Sequence, residues 1–206
     1  MSPDKLFFTQ RDVKVIDRET HFDSFLRIDK LSLQHSLFEG GDSEVMDREL
    51  LVKIPAVGVL LFDPDQQQLV MVRQFRVGML DGEESPWPLE LVAGLVDKDE
   101  SLEEVAIREI HEETGLQASN LVKICDYYNS PGASSEKVHL YCARVNASSA
   151  GGVHGLDHEH EDIRVEVLSV DEAMLAAQSG IINNAMSLIA LQWLQLNKQS
   201  LLERWS

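Results

Sequence analysis

The sequence predicts an α+β fold, in which helices flank a mixed β-sheet and a small N-terminal β-sheet appendage precedes them. Three observations favour this class: alternating apolar residues before residue 48, nearly continuous apolar runs further along, and several segments with helix-capping signals. Predicted helices follow strands without strict alternation, which favours a mixed sheet over a purely parallel one. The 206 residues suit one medium-sized domain with an appendage.

Residues 1–48 form the first predicted region, a small β-sheet. The segments DVKVID and SFLRIDKLSLQH alternate apolar and polar residues, as half-buried strands do. Residues 49–206 form the second predicted region, which is the larger domain.

Four apolar stretches predict strands in the larger domain. IPAVGVLLF (54–62) and LVMVRQF (69–75) flank the turn signal DPDQQ, so they predict a hairpin near the centre of the sheet. KVHLYCARV (137–145) and IRVEVLSV (163–170) predict two further strands.

Two helices are predicted at the C-terminal end of the chain. Ser169-Val-Asp-Glu172 fits a capping box for a short helix that stops at Gly180. Asn183 or Asn184 would cap a longer helix through MSLIALQWLQL.

The net charge, the N-terminal segment and the cysteine count indicate which partners and which compartment to expect. A net charge of −17 disfavours nucleic-acid phosphates and anionic membrane surfaces, so we expect neither nucleic acid nor membrane as a partner. The N-terminus lacks a signal peptide's apolar core, and no stretch reaches the length of a membrane span. Two cysteines are too few for a disulfide framework. These features predict a reduced, intracellular protein, and we expect it in the cytoplasm.

The stretch GLVDKDESLEEVAIREIHEETGL, residues 94–116, predicts an amphipathic helix. Ser101-Leu-Glu-Glu104 fits a capping box, and Gly115 is placed to end the helix. Four apolar residues recur at helical spacing and would face the core: Leu102, Val105, Ala106 and Ile110.

This helix carries an unusual density of negative charge. Arg108 stands four residues from Glu104 and from Glu112, so we expect it to bridge them. Glu109 and Glu113 are also four apart with no base between them, which costs about 0.2–0.5 kcal/mol even when exposed. The helix dipole also disfavours anions in this C-terminal half. A hard cation held by carboxylates, such as Mg²⁺, Mn²⁺ or Ca²⁺, would resolve the conflict, and a solvated acidic face is the alternative.

The same stretch resembles the Nudix box, Gx5Ex7REUxEExGU, where U is aliphatic. The residues that fill its fixed positions are Gly94, Glu100, Arg108, Glu109, Ile110, Glu112, Glu113, Gly115 and Leu116. The resemblance implies an αβα sandwich, the Nudix fold, with divalent cations and hydrolysis of a nucleoside diphosphate linked to another moiety. It assigns the metal chiefly to Glu109 and Glu113, with Glu112 and the Ala93 carbonyl beside them. Arg108 and Glu100 would orient this cluster.

Features outside the box resemble the ADP-ribose pyrophosphatase branch of the Nudix hydrolases. Pro131 lies 15 positions after Leu116, and SPWPLELVAGLVD and INNAMSLIALQWLQL are also similar to that branch. The branch takes its general base from an acidic loop, which matches GLDHEHEDIRV here. We expect Glu159 as base and Glu161 as metal ligand or helper, with the reverse assignment open. The flanking His158 and His160 are expected to point at solvent.

The same resemblance implies the substrate contacts. Arg76 would bind the diphosphate, Arg48 and Phe25 would surround the adenine, and Glu136 would approach the terminal ribose from the neighbouring subunit. The N-terminal region would be exchanged in a homodimer, which makes both sites composite.

The resemblance thus implies Mg²⁺-dependent cleavage of ADP-ribose, a nucleotide sugar, to AMP and ribose 5-phosphate, with Mn²⁺ as the alternative ion. Another nucleotide-sugar pyrophosphatase, for example one acting on GDP-mannose, is the nearest rival. A non-catalytic ADP-ribose sensor and a Ca²⁺-binding structural module are rivals of other classes. The sensor is disfavoured because the metal glutamates are intact, and the Ca²⁺ module because an EF-hand ligand pattern is missing.

Overall fold

A computed structural model describes residues 8–97 and 99–205, which form two compact units. The first unit holds the described residues up to Ile54 together with Tyr128–Glu136, and the second holds the rest. The third strand of the first unit, Met46–Val52, runs across the expected boundary at residue 48. The division into 1–48 and 49–206 stays a proposal.

The first unit contains a three-stranded antiparallel sheet, as the alternating patterns predict. Its strands, in spatial order, are β1 (Val13–Asp23), β2 (Arg27–His35) and β3 (Met46–Val52). Every residue of β1 is exposed, whereas Asp29 and Leu31 of β2 are buried. This sheet therefore has a small core that includes one carboxylate.

The second unit is built on an eight-stranded mixed sheet. Six strands follow the order β10-β11-β5-β4-β9-β8, while β6 pairs with β5 and β7 pairs with β4. The strand bounds are β4 Ala56–Asp63, β5 Gln68–Arg73, β6 Leu89–Glu90, β7 Val92–Leu95, β8 Ser119–Tyr128, β9 Lys137–Arg144, β10 Val153–His154 and β11 Ile163–Ser169. The predicted β4–β5 hairpin is antiparallel, and β4 pairs with β9 in parallel.

Helices cover both faces of this sheet, which confirms the αβα sandwich. They are α1 (Leu102–Thr114), α2 (Val170–Gln178) and α3 (Ala185–Trp205). Leu60 and Phe62 of β4 pack in the cluster with α2 and α3, whereas Val59 and Leu61 pack in the cluster with α1. Because alternate residues of β4 face opposite layers, the whole strand is buried and its sequence is a continuous apolar run.

The capping signals predict the helix ends well. Ser101 and Glu104 form the expected capping box of α1, and Gly115 ends that helix with a φ of 68°. The Ser169 box begins α2, which ends at Gln178, two residues before Gly180. Asn184, rather than Asn183, caps α3 by accepting a hydrogen bond from the Ser187 N–H at 3.0 Å.

Within the described ranges, no helix combines the length and the apolar character that crossing a bilayer requires.

Candidate active site

The site is centred on α1, which packs against β7. A Cβ on Gly94 of β7 would overlap the carboxylate of Glu109. Glycine at this position therefore allows Glu109 to lie directly against the strand backbone. Glycine is needed at position 94 for this close approach of Glu109. Backbone conformation is not the reason, because the φ of Gly94 does not lie in the left-handed region.

Arg108 organises the carboxylates of α1. Its Nε donates to Glu100 (3.1 Å), and its Nη1 donates to Glu109 (2.7 Å) and Glu112 (2.9 Å). Burial opposes the charge, but these three carboxylates raise the pKa of Arg108 above its ordinary value. The expected bridge from Arg108 to Glu104 does not form, because Glu104 Oε2 accepts from the N–H and hydroxyl of Ser101 in the capping box.

Glu113 is the most buried acidic group of the cluster. Only 2% of the residue is exposed, and Oε2 has no hydrogen-bond partner among the described residues. Burial raises the pKa of Glu113 well above its usual value, and the charges of Glu109 and Glu161 raise it further. The charge of Arg76 and a hydrogen bond from the Ala93 backbone act in the opposite direction. The carboxylate therefore lacks enough positive charge around it.

Glu109 is in a similar state. Burial raises the pKa of its carboxyl to about 7, even though Arg108 donates to it. Two neighbouring carboxylates with elevated pKa values, one of them with an unpartnered oxygen, form a site that a cation would stabilise.

The donor set fits a divalent cation with hard-ligand preferences. In the part of the chain that the structure describes, no three histidine, cysteine or acidic side chains converge as a ready metal cage. Glu109 and Glu113 offer two carboxylates, Ala93 lies beside them, and Glu112 is engaged by Arg108. Mg²⁺ commonly uses one or two carboxylates and completes its shell with water and substrate phosphates, so this set suits it.

The acidic loop before β11 approaches the same cluster. Glu161 accepts a hydrogen bond from the Leu156 N–H (3.2 Å), and its charge acts on both Glu109 and Glu113. The side chain of Glu159 is 54% exposed and lies beside His158. In this conformation Glu161 is therefore the loop carboxylate that faces the cluster.

Arg76, which follows β5, lies near enough to the cluster for its charge to act on Glu113. Its Nε donates to Glu90 Oε2 at 2.7 Å. The side chain is 42% exposed, so its guanidinium is accessible to a ligand. Glu90 was not singled out by sequence patterns, because a partner 14 residues away leaves no local signal.

Three other predicted substrate contacts belong to the first unit. Phe25 is 91% exposed, and Lys53 Nζ lies 5.9 Å from the centre of its ring. The same Lys53 Nζ lies 3.8 Å from Glu136, which also accepts from Asn129. Arg48 donates instead to the backbone oxygen of Asp47. Lys53, which the sequence patterns did not single out, thus joins two of the three.

Comparisons with known proteins agree with this geometry. Residues 52–186 match the family described as NUDIX domain. The chain is 40% identical over 208 residues to the ADP-ribose pyrophosphatase of Escherichia coli K12, with full coverage of both chains. It is 39% identical over 201 residues to that of Haemophilus influenzae, covering 96% of this chain and 93% of the relative.

Two further matches are more distant. A GDP-mannose pyrophosphatase of Cronobacter sakazakii is 36% identical over 163 residues, covering 75% of this chain and 82% of the relative. A crystal structure described as an ADP compounds hydrolase superposes with a TM-score of 0.71 at 23% identity, covering 92% of this chain and 96% of the other. The second match shows the fold. With the full-length relatives and the domain match, it leads to one conclusion: this chain belongs to the Nudix family.

Proposed function

We propose that this chain is a Nudix hydrolase that cleaves the pyrophosphate bond of ADP-ribose, giving AMP and ribose 5-phosphate. The observation that carries the proposal is the pair of carboxyl groups with raised pKa values, the partly buried Glu109 and the buried Glu113, beside the accessible arginine Arg76. The choice of ADP-ribose is supported by relatives of that name that align over 93% to 100% of their own lengths. The GDP-mannose relative aligns over a smaller share of this chain, 75%.

Mg²⁺ is the proposed cofactor, with Mn²⁺ as the alternative. Glu109, Glu113 and the Ala93 carbonyl would hold it, with Glu112 beside them. When bound, the cation lowers the pKa of a coordinated water and offsets charge on the phosphates. Its presence would also remove the shortage of positive charge around Glu113.

Two arginines of the site have different proposed roles. Arg108 holds Glu109 and Glu112 in place through its Nη1. Arg76 would bind the diphosphate, since a planar guanidinium can bridge two phosphate oxygens. Because an acidic protein repels a diphosphate, this arginine and the cation are the features that let the substrate approach.

The acidic loop would supply the proton acceptor. Because Glu161 already acts on Glu109 and Glu113, we assign it to the metal side of the site, as ligand or helper. We assign Glu159 as the base that takes the proton from the attacking water once the loop closes. Comparing the single Gln variants of these two residues distinguishes this assignment from its reverse.

A homodimer that exchanges the N-terminal region would complete the substrate pocket. Phe25 and Arg48 would then surround the adenine, and Glu136 of one protomer would reach the terminal ribose in its partner. The exposed apolar residues of β1 support such a contact: Val13, Val15, Ile16 and Phe22. Both cysteines are free thiols, which supports a reducing compartment, and we propose the cytoplasm.

The direct test is nucleotide release from ADP-ribose, GDP-mannose and NADH with Mg²⁺. We expect ADP-ribose to be hydrolysed fastest, and we expect Glu113→Gln and Glu159→Gln to lose most of the rate of hydrolysis. Glu103→Gln, an exposed glutamate of the same helix, is the matched control and should retain it. Preference for GDP-mannose would overturn the substrate assignment. Binding of ADP-ribose without turnover of any substrate would favour the sensor.

A further inference from the structure

Three arginines near the site differ in how their guanidinium groups are used. Arg73 donates from Nε and Nη2 to Glu166 and from Nη1 to the Trp87 carbonyl. Arg108 uses Nε and Nη1 on carboxylates, whereas its Nη2 is buried and has no hydrogen-bond partner among the described residues. Neither arginine therefore offers two accessible terminal nitrogens to a ligand.

Arg76 is used differently. Within residues 8–97 and 99–205, its guanidinium makes one hydrogen bond, from Nε to Glu90. Both terminal nitrogens, Nη1 and Nη2, remain available, and the side chain is accessible. These are the two nitrogens that a bidentate contact to phosphate oxygens requires.

The position of Glu90 is fixed by the backbone on which it lies. Glu90 pairs with Val72 where β6 adds to β5, and Asn184 donates to the neighbouring Leu89 carbonyl at 3.0 Å. The backbone N–H of Arg76 donates to the Pro86 carbonyl at 2.8 Å. Both partners of the Arg76–Glu90 ion pair therefore have a fixed backbone.

By its charge alone, the Glu90 carboxylate would weaken the binding of a diphosphate. Its charge repels phosphate oxygens, and the chain already carries a net charge of −17. Glu90 favours substrate binding only through Arg76, by holding one guanidinium orientation and so reducing the loss of side-chain freedom on binding.

We propose that Glu90 is a positioning residue that holds Arg76 by its Nε, so that Nη1 and Nη2 face the diphosphate of the substrate. The proposal rests on the proposed function, because it takes the bound group to be a diphosphate. It assigns Glu90 no contact with the reacting atoms.

A double-mutant cycle on kcat/KM for ADP-ribose tests the coupling. Glu90→Ala should lower kcat/KM about tenfold when Arg76 is present, and less than about twofold in Arg76→Ala. Glu90→Gln keeps a hydrogen-bond acceptor of the same shape, so it should lower kcat/KM less than Glu90→Ala does. Glu90→Gln replaces Glu90→Ala in the cycle if Glu90→Ala folds poorly. Glu166→Ala, on β11, removes the carboxylate partner of Arg73, the last residue of β5, and should leave kcat/KM nearly unchanged in both backgrounds.

The Mg²⁺ concentration for half-maximal activity separates positioning from a general disturbance. It should be the same in Glu90→Ala and in the parent protein, whereas a displaced β7 or α1 would shift it. Equal losses from Glu90→Ala with and without Arg76, or no loss at all, would overturn the proposal.

The two proposals fail in different ways. If the parent protein hydrolyses GDP-mannose instead, the substrate assignment fails and the cycle is measured on GDP-mannose, since both substrates share the diphosphate. If the parent hydrolyses no nucleotide sugar, the proposed function fails and the role of Glu90 fails with it.

Discussion

Asp29 in the first unit and Glu113 in the second are both shielded from solvent, yet their surroundings are opposite. Arg18, Arg27 and Thr20 all donate to Asp29. The hydrogen bond from Arg27 is the largest influence, and the pKa of Asp29 lies far below its usual value despite burial. Glu113 has a raised pKa and an oxygen with no partner in the described part of the chain. A carboxylate surrounded by donors stabilises a fold, whereas one with too little positive charge around it indicates a site for a ligand.

The largest expected effect follows from removing the unsatisfied carboxylate. Glu113→Gln should lower kcat/KM about 100-fold or more, because a metal ligand contributes several kcal/mol to the transition state. Without metal, the variant should unfold at the same temperature as the parent or higher, since it replaces a buried carboxyl group whose ionisation its surroundings disfavour. Steady-state kinetics and thermal unfolding in EDTA measure both. A marked loss of stability would contradict the comparison.

A smaller loss of kcat/KM is expected when the space that the Glu109 carboxylate occupies is filled. Gly94→Ala places a methyl group where the Glu109 carboxylate lies, so the ligand must move. We expect kcat/KM to fall about 10- to 100-fold, as when the support of a ligand is lost. Gly132→Ala, which adds a methyl group to open space, is the control. Unchanged kinetics in Gly94→Ala would show that Glu109 does not need this position.

In the first unit, the satisfied carboxylate should matter for stability. Asp29→Asn leaves Arg18 and Arg27 without their charged partner and should lower the midpoint of thermal unfolding by several degrees. Asp47→Asn, which removes the exposed partner of Lys30, should change it much less. Calorimetric melting of the two variants measures the difference. Equal shifts would contradict the structural role of Asp29.

The two regions should also respond oppositely to pH. The pKa of Asp29 is lowered by folding, so its contribution is present above its unfolded value of about 3.9 and is lost as pH falls below that value. The pKa of Glu109 is raised to about 7, so in metal-free protein stability should decline as pH rises from about 4.3 toward 7. Glu109→Gln should reduce the second decline, to which Glu113 also contributes, and Asp29→Asn should reduce the first. Unfolding curves in EDTA from about pH 2 to about pH 8, which extend below the unfolded pKa of Asp29 and above the folded pKa of Glu109, measure the two trends.

The features that can be predicted from the sequence are those that depend on residues close together in the chain. Capping at Ser101, the left-handed Gly115 and the buried run of β4 depend on residues close together in the chain, and all three were predicted. Of the two partners that spacing predicts for Arg108, Glu112 is confirmed and Glu104 is wrong, since the helix cap competes for Glu104. The Arg76–Glu90 and Arg18–Asp29 pairs join different strands or loops, so no local pattern reveals them.

The proposed function depends on Glu109 and Glu113 of α1 holding a divalent cation. Calorimetric titration of Mn²⁺ into EDTA-treated and desalted protein tests it most directly, using the parent, Glu113→Gln and Asp29→Asn. We expect Glu113→Gln to lose most of the affinity for Mn²⁺, while Asp29→Asn, at a temperature where it is folded, retains it. Equal Mn²⁺ affinity in Glu113→Gln and the parent would show that Glu113 is not a metal ligand.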